Sequence, residues 1–403
     1  MNPELTRLQP YPFEKLSALL KPLSPPAGLP PVDLSIGEPR HPVAPFIREA
    51  MSQALDGISR YPTTRGVASL RQACADWTRK RFGLTRLDGE TQLLPVNGTR
   101  EALFSIAHAV IERHPHGEPP LILAPNPFYQ IYEGAAITAG AELLPLDCLP
   151  ENGFLPDIAS LPPAVLDRVQ LLYLCTPANP TGAVEPLERL KELIRLAHRH
   201  DFVIASDECY SEIWYENPPP GILQAAKEMG LESYDRCLAF HSLSKRSNMP
   251  GARSGFVAGD AALLARYLQL RTYTGCATPP FVQSTAILAW QDETHVEENR
   301  RLYRRKLADA LEILQPRLPV TPPQAGFYLW LAVPQGGEAF ARRLFERYHV
   351  TVLPGGYMGR PSVDPSRPGR NPGDPFVRVA MVSSLEENRE GMYRIARCAA
   401  EMI

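Results

Sequence analysis

Six short runs of apolar residues punctuate the middle of the chain, at 121–124, 143–146, 170–175, 202–206, 237–240 and 254–258. Several are apolar throughout instead of alternating with polar positions, the pattern of strands buried on both faces. Between them lie longer stretches with helical spacing, such as 100–113 and 186–200. This rhythm predicts an α/β fold with a mostly parallel central sheet flanked by helices. The C-terminal part reads differently. A helical stretch rich in Arg and Glu at 293–314 precedes a strand at 326–331, a helix at 338–348 and a strand at 376–381, which predicts a smaller α+β domain. The expected division is an N-terminal arm with part of the small domain (1–45), a large domain (46–284) and a C-terminal small domain (285–403). The segment 362–374 carries five Pro or Gly residues and little apolar content, and is expected to be an exposed, mobile loop.

Composition narrows the function classes. The chain has 403 residues, 44% of them apolar, enough for a sizeable core. Its 42 Lys and Arg balance 44 Asp and Glu, so a polyanion-binding surface is not expected and nucleic acid is a poor partner. No run of 18 or more apolar residues suggests a membrane span. Met1-Asn-Pro-Glu-Leu-Thr-Arg7 lacks the apolar core of a secretory signal, and the seven cysteines are scattered with no CxxC pair. Both features lead to the expectation of a cytoplasmic protein with reduced thiols. Arg113-His-Pro-His116 reads as a polar loop, and no metal site is expected. Gly355-Gly-Tyr-Met-Gly359 lacks the setting of a dinucleotide fingerprint and is expected to shape a loop near the substrate.

In an open parallel sheet, ligands bind outside the carboxyl ends of the strands. Thr176-Pro-Ala-Asn-Pro-Thr-Gly182 follows the run at 170–175, Asp207-Glu-Cys-Tyr210 follows 202–206, and His241-Ser-Leu-Ser-Lys245 follows 237–240. Successive strands thus deliver Asn179, Asp207 with Tyr210, and Lys245 to one edge. An amine able to form a Schiff base, beside an acid that keeps a pyridine nitrogen protonated, is the set that pyridoxal 5'-phosphate (PLP) requires. Arg253, eight residues after Lys245, suits the phosphate. So does Val96-Asn-Gly-Thr-Arg-Glu-Ala102, a turn that opens a helix and offers free backbone N–H groups. Singly, each residue has a plainer reading. Lys245 would be a solvated loop residue, Asp207 a helix cap, Arg378 a solvent-facing strand residue, Tyr129 a core aromatic and Tyr61 a surface turn. Their order and spacing together favour the chemical reading.

The segment from Ser242-Leu-Ser-Lys245 to Arg253-Ser-Gly255 resembles the SxSKxxxxxxxR signature of the class I/II aminotransferases of PLP fold type I. Asn179-Pro-Thr-Gly182 and Asp207-Glu-Cys-Tyr210 resemble two further motifs of that family, and the resemblance runs over about residues 33–381. It implies a role for each matching residue. Lys245 would hold the cofactor and then shuttle the substrate Cα proton. Asp207 would pair with the ring nitrogen, Tyr210 and Asn179 would bond the ring 3-oxygen, and Tyr129, in Asn126-Pro-Phe-Tyr129, would stack on the ring. Gly98, Thr99, Arg100, Ser242 and Arg253 would surround the phosphate. Arg378, in Phe376-Val-Arg-Val379, would clamp the substrate α-carboxylate, with Asn179 and with Gly37 of Ser35-Ile-Gly-Glu-Pro39 beside it. Tyr61 would reach the phosphate of a second subunit, which implies a homodimer.

The implied reaction is ping-pong transfer of an amino group between small amino acids and 2-oxo acids. Within the family, Met1-Asn-Pro, Leu8-Gln-Pro-Tyr-Pro-Phe13, Leu34-Ser-Ile-Gly-Glu-Pro39 and Pro95-Val-Asn-Gly-Thr-Arg-Glu-Ala-Leu-Phe104 resemble the N-succinyldiaminopimelate branch of bacterial lysine biosynthesis. That branch implies N-succinyl-LL-2,6-diaminopimelate and 2-oxoglutarate as substrates. An aspartate, alanine or aromatic aminotransferase, or a Cβ–S lyase, would keep nearly all of these residues. A non-enzymatic PLP-sensing regulator is disfavoured, because residues 1–31 are too short for a DNA-binding segment. Distal carboxylates on the substrate call for a second cation, and Arg40, Arg65, Arg100 and Arg271 are the candidates.

Overall fold

A computed structural model describes residues 3–113 and 117–402. His114, Pro115 and His116 of the polar stretch noted above lie outside the described residues, as do Met1, Asn2 and Ile403. The strands, in chain order, are β1 (Val32–Asp33), β2 (Leu93–Val96), β3 (Leu121–Asn126), β4 (Glu142–Asp147), β5 (Val169–Cys175), β6 (Val203–Asp207), β7 (Cys237–Ser242), β8 (Gly255–Gly259), β9 (Tyr328–Ala332), β10 (Val350–Thr351), β11 (Leu353–Pro354) and β12 (Phe376–Ala380).

Seven of them form the central sheet in the order β2-β8-β7-β6-β5-β3-β4. The pairs from β7 to β4 are all parallel. Both faces of this sheet are buried, which is why its strands are apolar without alternation. Along β5, Leu172 and Leu174 join one core with Trp77 and Leu190, while Leu171 and Tyr173 join the other with Leu103 and Tyr132. Helices Ala68–Phe82, Leu187–His200 and Pro280–Gln291 supply the first core. Helices Thr99–Val110, Ile131–Ala139 and Ala261–Thr274 supply the second. The result is three layers, with the sheet between two helical layers.

Two strands depart from the simple rhythm. β2 was not legible as a strand, because it is four residues long and contains Pro95. It forms the edge of the sheet, where a proline's missing N–H costs least. β8 runs antiparallel to both β2 and β7, with Gly255 opposite Val96 and Ser242. The start of β8 therefore lies at the same edge as the carboxyl ends of β2, β5, β6 and β7. That edge gathers Gly98, Asn179, Asp207, Ser242, Lys245 and Arg253.

Beyond residue 293 the helices Thr294–Leu314, Gly337–Tyr348 and Leu385–Met402 pack with a three-stranded antiparallel sheet of order β11-β12-β9. The N-terminal segment joins this unit. β1 pairs in parallel with β10, and Val32 and Leu34 enter its core. The segment 362–374 is mostly exposed. It is tied down by the Asn371 amide, which donates to the Gly356 carbonyl at 2.8 Å, and by an Arg367–Glu151 ion pair. Among the described residues no helix is long and apolar enough to cross a membrane, and no cluster of His, Cys, Asp and Glu could hold a metal.

Candidate active site

A cavity of about 490 Å³ opens at this sheet edge, between the central sheet and the C-terminal unit. Lys245 lies on a four-residue helix, Leu243–Arg246, that starts where β7 stops. The Ser242 hydroxyl caps that helix by accepting from the Ser244 N–H at 3.1 Å. The Lys245 amine donates to the Gly37 carbonyl at 2.7 Å. Burial pushes this amine down to about 8; Arg378 acts in the same direction, while Cys209 and Glu38 oppose it. An amine so tuned is unprotonated often enough near neutral pH to act as nucleophile and base.

Asp207 ends β6 and is 5% exposed. Burial raises its carboxyl above the usual range, against the pull of hydrogen bonds from Cys209 and Tyr132 and of the Lys245 charge. Its Oδ1 accepts the Cys209 N–H at 3.2 Å, and its Oδ2 accepts the Tyr132 hydroxyl at 3.0 Å. No ion pair within the chain involves Asp207 among the described residues, so it can meet a cation brought by a ligand.

Arg378 sits on β12, is 4% exposed, and likewise has no carboxylate partner among the described residues. Its two terminal nitrogens donate to Asn179 Oδ1 and to the Ser35 carbonyl, both at 2.9 Å. Its Nε has no partner, and the guanidinium lies 4.4 Å from the centre of the Tyr328 ring. A buried guanidinium without a counter-ion is expensive, and an incoming carboxylate removes that expense.

On the other side of the cavity, helix Thr99–Val110 begins after Gly98, whose φ is +79°. A Cβ there would run into the Arg253 guanidinium as well as strain the backbone. Free N–H groups of a twelve-residue helix and the Arg253 cation thus face the same place, an arrangement suited to a phosphate. Tyr129 lines the cavity, and its hydroxyl accepts from Arg100 Nε at 2.6 Å.

The structure brings Gly37, Thr99, Arg100, Tyr129, Asn179, Asp207, Tyr210, Ser242, Lys245, Arg253 and Arg378 around one cavity, with Gly98 against Arg253. It leaves Tyr61 out: that side chain is fully exposed and does not line the cavity of its own chain. Of the four candidate second cations, three are engaged elsewhere. Arg271 is wholly buried against Glu101 at 2.6 Å, Arg65 pairs with Glu90, and Arg40 donates to Ser383 at 3.0 Å. Arg100 alone of the four lines the cavity, and among the described residues no ion pair engages it. Gly355-Gly-Tyr-Met-Gly359 contributes Met358 to the cavity wall.

Two side chains at the site carry no motif. Tyr328 lies within the strand expected at 326–331. Its hydroxyl is 3.1 Å from that of Tyr210, and a Cβ on Gly37 would strike it. Tyr132 is buried and stacks on Tyr173 with centroids 4.4 Å apart, as a core aromatic does, yet its hydroxyl donates to Asp207. Nothing in the spacing of the sequence separates a core tyrosine from one whose hydroxyl meets a buried carboxylate.

Fold and site together fit an enzyme that works through a carbonyl cofactor. The family model for aminotransferase class I and II matches residues 30–395. An aminotransferase from Neisseria meningitidis superposes with a TM-score of 0.93 at 44% identity, covering 99% of this chain and 100% of that one. A probable N-succinyldiaminopimelate aminotransferase from Thermus thermophilus superposes with a TM-score of 0.83 at 28% identity, covering 96% and 100%. An LL-diaminopimelate aminotransferase of Dehalococcoides mccartyi is 31% identical over 405 residues, 98% of each chain. The chain belongs to the class I and II aminotransferases, which are PLP-dependent. The residues around the cavity fit that cofactor. An amine pushed down to about 8, an unpaired buried carboxylate on the neighbouring strand and a helix N-terminus beside an arginine match its aldehyde, ring nitrogen and phosphate.

Proposed function

We propose that this aminotransferase acts on N-succinyl-LL-2,6-diaminopimelate with 2-oxoglutarate as amino acceptor, in lysine and diaminopimelate biosynthesis. In this reading Lys245, Asp207, Tyr210, Asn179, Tyr129, Gly98, Thr99, Ser242 and Arg253 hold the cofactor, and Arg100 adjoins its phosphate turn. Tyr61 of a second copy completes the phosphate site. When bound, the cofactor supplies an electron sink for the charge left by loss of the Cα proton. Arg378 and Asn179 orient the α-carboxylate, with Gly37 leaving room beside it. The Lys245 amine takes the proton from substrate Cα and later returns it.

The observation that carries a substrate with a distal carboxylate is Arg100, and the resemblance to a probable succinyldiaminopimelate enzyme is what favours the succinylated form. Arg100 lines the cavity and forms no ion pair with a carboxylate among the described residues, while Arg378 is reserved for the α-carboxylate. A substrate with carboxylates at both ends uses both cations. The resemblance of the Thermus protein, itself described as a probable enzyme of this specificity, supports the same reading. A second reading is LL-diaminopimelate itself, favoured by the Dehalococcoides relative. Its free distal ammonium would find the Glu38 carboxylate at the cavity wall.

A donor and acceptor panel decides between them. Loaded enzyme should turn over N-succinyl-LL-2,6-diaminopimelate with 2-oxoglutarate faster than LL-diaminopimelate, aspartate, alanine or an aromatic amino acid. Arg100→Ala should raise KM for the succinylated substrate by about tenfold, the worth of one charge-assisted contact, and leave KM for alanine unchanged. Faster turnover of LL-diaminopimelate selects the second reading. Faster turnover of aspartate, alanine or an aromatic amino acid rejects both.

A further inference from the structure

Behind Lys245, away from the cavity, a chain of polar side chains crosses from the C-terminal unit to the main chain of the lysine. Lys306 Nζ lies 2.7 Å from His41 Nε2, and His41 Nδ1 lies 2.7 Å from Asn299 Oδ1. Asn299 Nδ2 donates to the Lys245 carbonyl at 3.2 Å. Lys306 and Asn299 are 4% and 3% exposed. None of these three residues lines the cavity or belongs to one of the motifs.

Their donors and acceptors allow one arrangement. An ammonium has no lone pair, so while Lys306 is charged His41 Nε2 must accept from it. His41 Nδ1 then carries the ring proton and donates to Asn299 Oδ1. The same oxygen accepts from Asn248 Nδ2 at 3.1 Å, so the amide of Asn299 is fixed with its NH2 group toward Lys245. The Lys245 carbonyl belongs to the last turn of a four-residue helix and needs an acceptor's partner from outside that helix. His41 also lies four residues after Gly37, whose carbonyl takes the Lys245 amine. The segment 37–41 therefore reaches both ends of Lys245.

We propose that His41 is a positioning residue for Lys245, acting through Asn299 and held in its Nδ1–H tautomer by Lys306; this rests on Lys245 being the proton-transferring group. The surroundings agree. Burial pushes His41 down to about 4, so the ring is neutral at pH 7, with Asn299 and Glu298 opposing and Lys306 reinforcing. Burial lowers Lys306 to about 8, with Glu387 opposing and Arg40 reinforcing, which leaves it mainly charged at pH 7. Besides His41, Lys306 donates to the Val382 carbonyl at 3.3 Å, and the Tyr303 ring lies against both residues. No ion pair neutralises Lys306 among the described residues, so its one side-chain acceptor is the imidazole.

Two measurements test this. The first is the histidine ¹⁵N spectrum of the apoprotein at pH 7, assigned by loss of signals in His41→Gln. A neutral His41 protonated on Nδ1 is expected; an Nε2–H tautomer or an imidazolium overturns the proposal. The second compares His41→Leu, Lys306→Met and His41→Gln, whose amide can still accept from Lys306 and donate to Asn299. In the apoproteins the pH midpoint for modification of Lys245 by an amine reagent, read by mass spectrometry, should move in His41→Leu and Lys306→Met by about half a pH unit or more. It should return to the wild-type value in His41→Gln. In loaded enzyme kcat should fall about tenfold in the first two, with KM little changed, and recover in the third. Equal effects of Gln and Leu, or a wild-type Lys245 midpoint in Lys306→Met, overturn the proposal; the Lys306 variant decides alone where His41→Leu does not fold. Borohydride fixation of the cofactor on a different lysine instead sinks the reading of Lys245 itself.

Discussion

Lys245 is held in a setting that a folded protein without its cofactor would do better without. Its amine is pushed down to about 8 from an ordinary 10.5, mainly by burial. Between those two pH values the unfolded chain binds more protons than the folded one, so on this account stability rises with pH across that window. The deficit is complete below pH 8 and gone above about 10.5. The apoprotein of Lys245→Met should therefore melt above the wild-type apoprotein at pH 7, by about 2–4 °C for a domain of this size. The gap should narrow as pH approaches 10. Thermal melts at both pH values check it, and a gap that widens with pH contradicts the sign. Arg378 shows the same economy, being buried with an unpartnered Nε. Such groups persist at a site because their best partner is a ligand.

At the scale of elements, the site depends on how strands and helices terminate. β8 runs opposite to its neighbours, and this alone puts Arg253 beside the turn at Gly98. The run at 254–258 identified a strand, but a run of apolar residues carries no sign of direction. β2 is not legible in the sequence because Pro95 breaks its pattern, although an edge strand tolerates that break. Gly98 could be singled out from sequence as part of a turn. Its demand for glycine becomes visible only with φ at +79° and the Arg253 guanidinium in the space of a Cβ. Gly98→Ala should weaken PLP binding to the apoprotein by about tenfold, since a Cβ there displaces the Arg253 guanidinium, a loss of about one charge-assisted contact. The backbone at φ +79° and ψ 152° adds a cost of about 1–3 kcal/mol to folding. A titration followed by absorbance measures this; unchanged affinity would remove Gly98 from the phosphate site.

At the scale of the whole molecule, Tyr61 is the residue that one chain does not explain. It is fully exposed, with Ile58 71% and Tyr273 84% exposed as further apolar groups on the surface. A homodimer in which Tyr61 serves the other subunit's phosphate makes a specific prediction. Lys245→Ala should be inactive and Tyr61→Ala weak when each is assayed separately. Mixed and reassembled, they should regain activity, because the hybrid contains one site with Lys245 and Tyr61 both intact. Activity of the hybrid no higher than that of Tyr61→Ala alone, with hybrid formation verified by native mass spectrometry, would place Tyr61 outside the other subunit's site.

The sequence by itself determined the layers and the list of chemical groups. Apolar runs without alternation announce strands covered on both faces, and the residue after a strand's carboxyl end is legible as soon as the strand is. Lys245, Asp207, Asn179 and Tyr210 were therefore readable in order. Tertiary structure alone decided which cations remain available. Arg271, Arg65 and Arg40 are engaged with Glu101, Glu90 and Ser383, and only packing across distant segments reveals that Arg100 faces the cavity instead. It also decided what stands behind the lysine. His41, Asn299 and Lys306 lie up to 265 residues apart and share no motif. Hydrogen bonding between side chains depends on distance and direction in space, and neither is written in the spacing of residues along a chain.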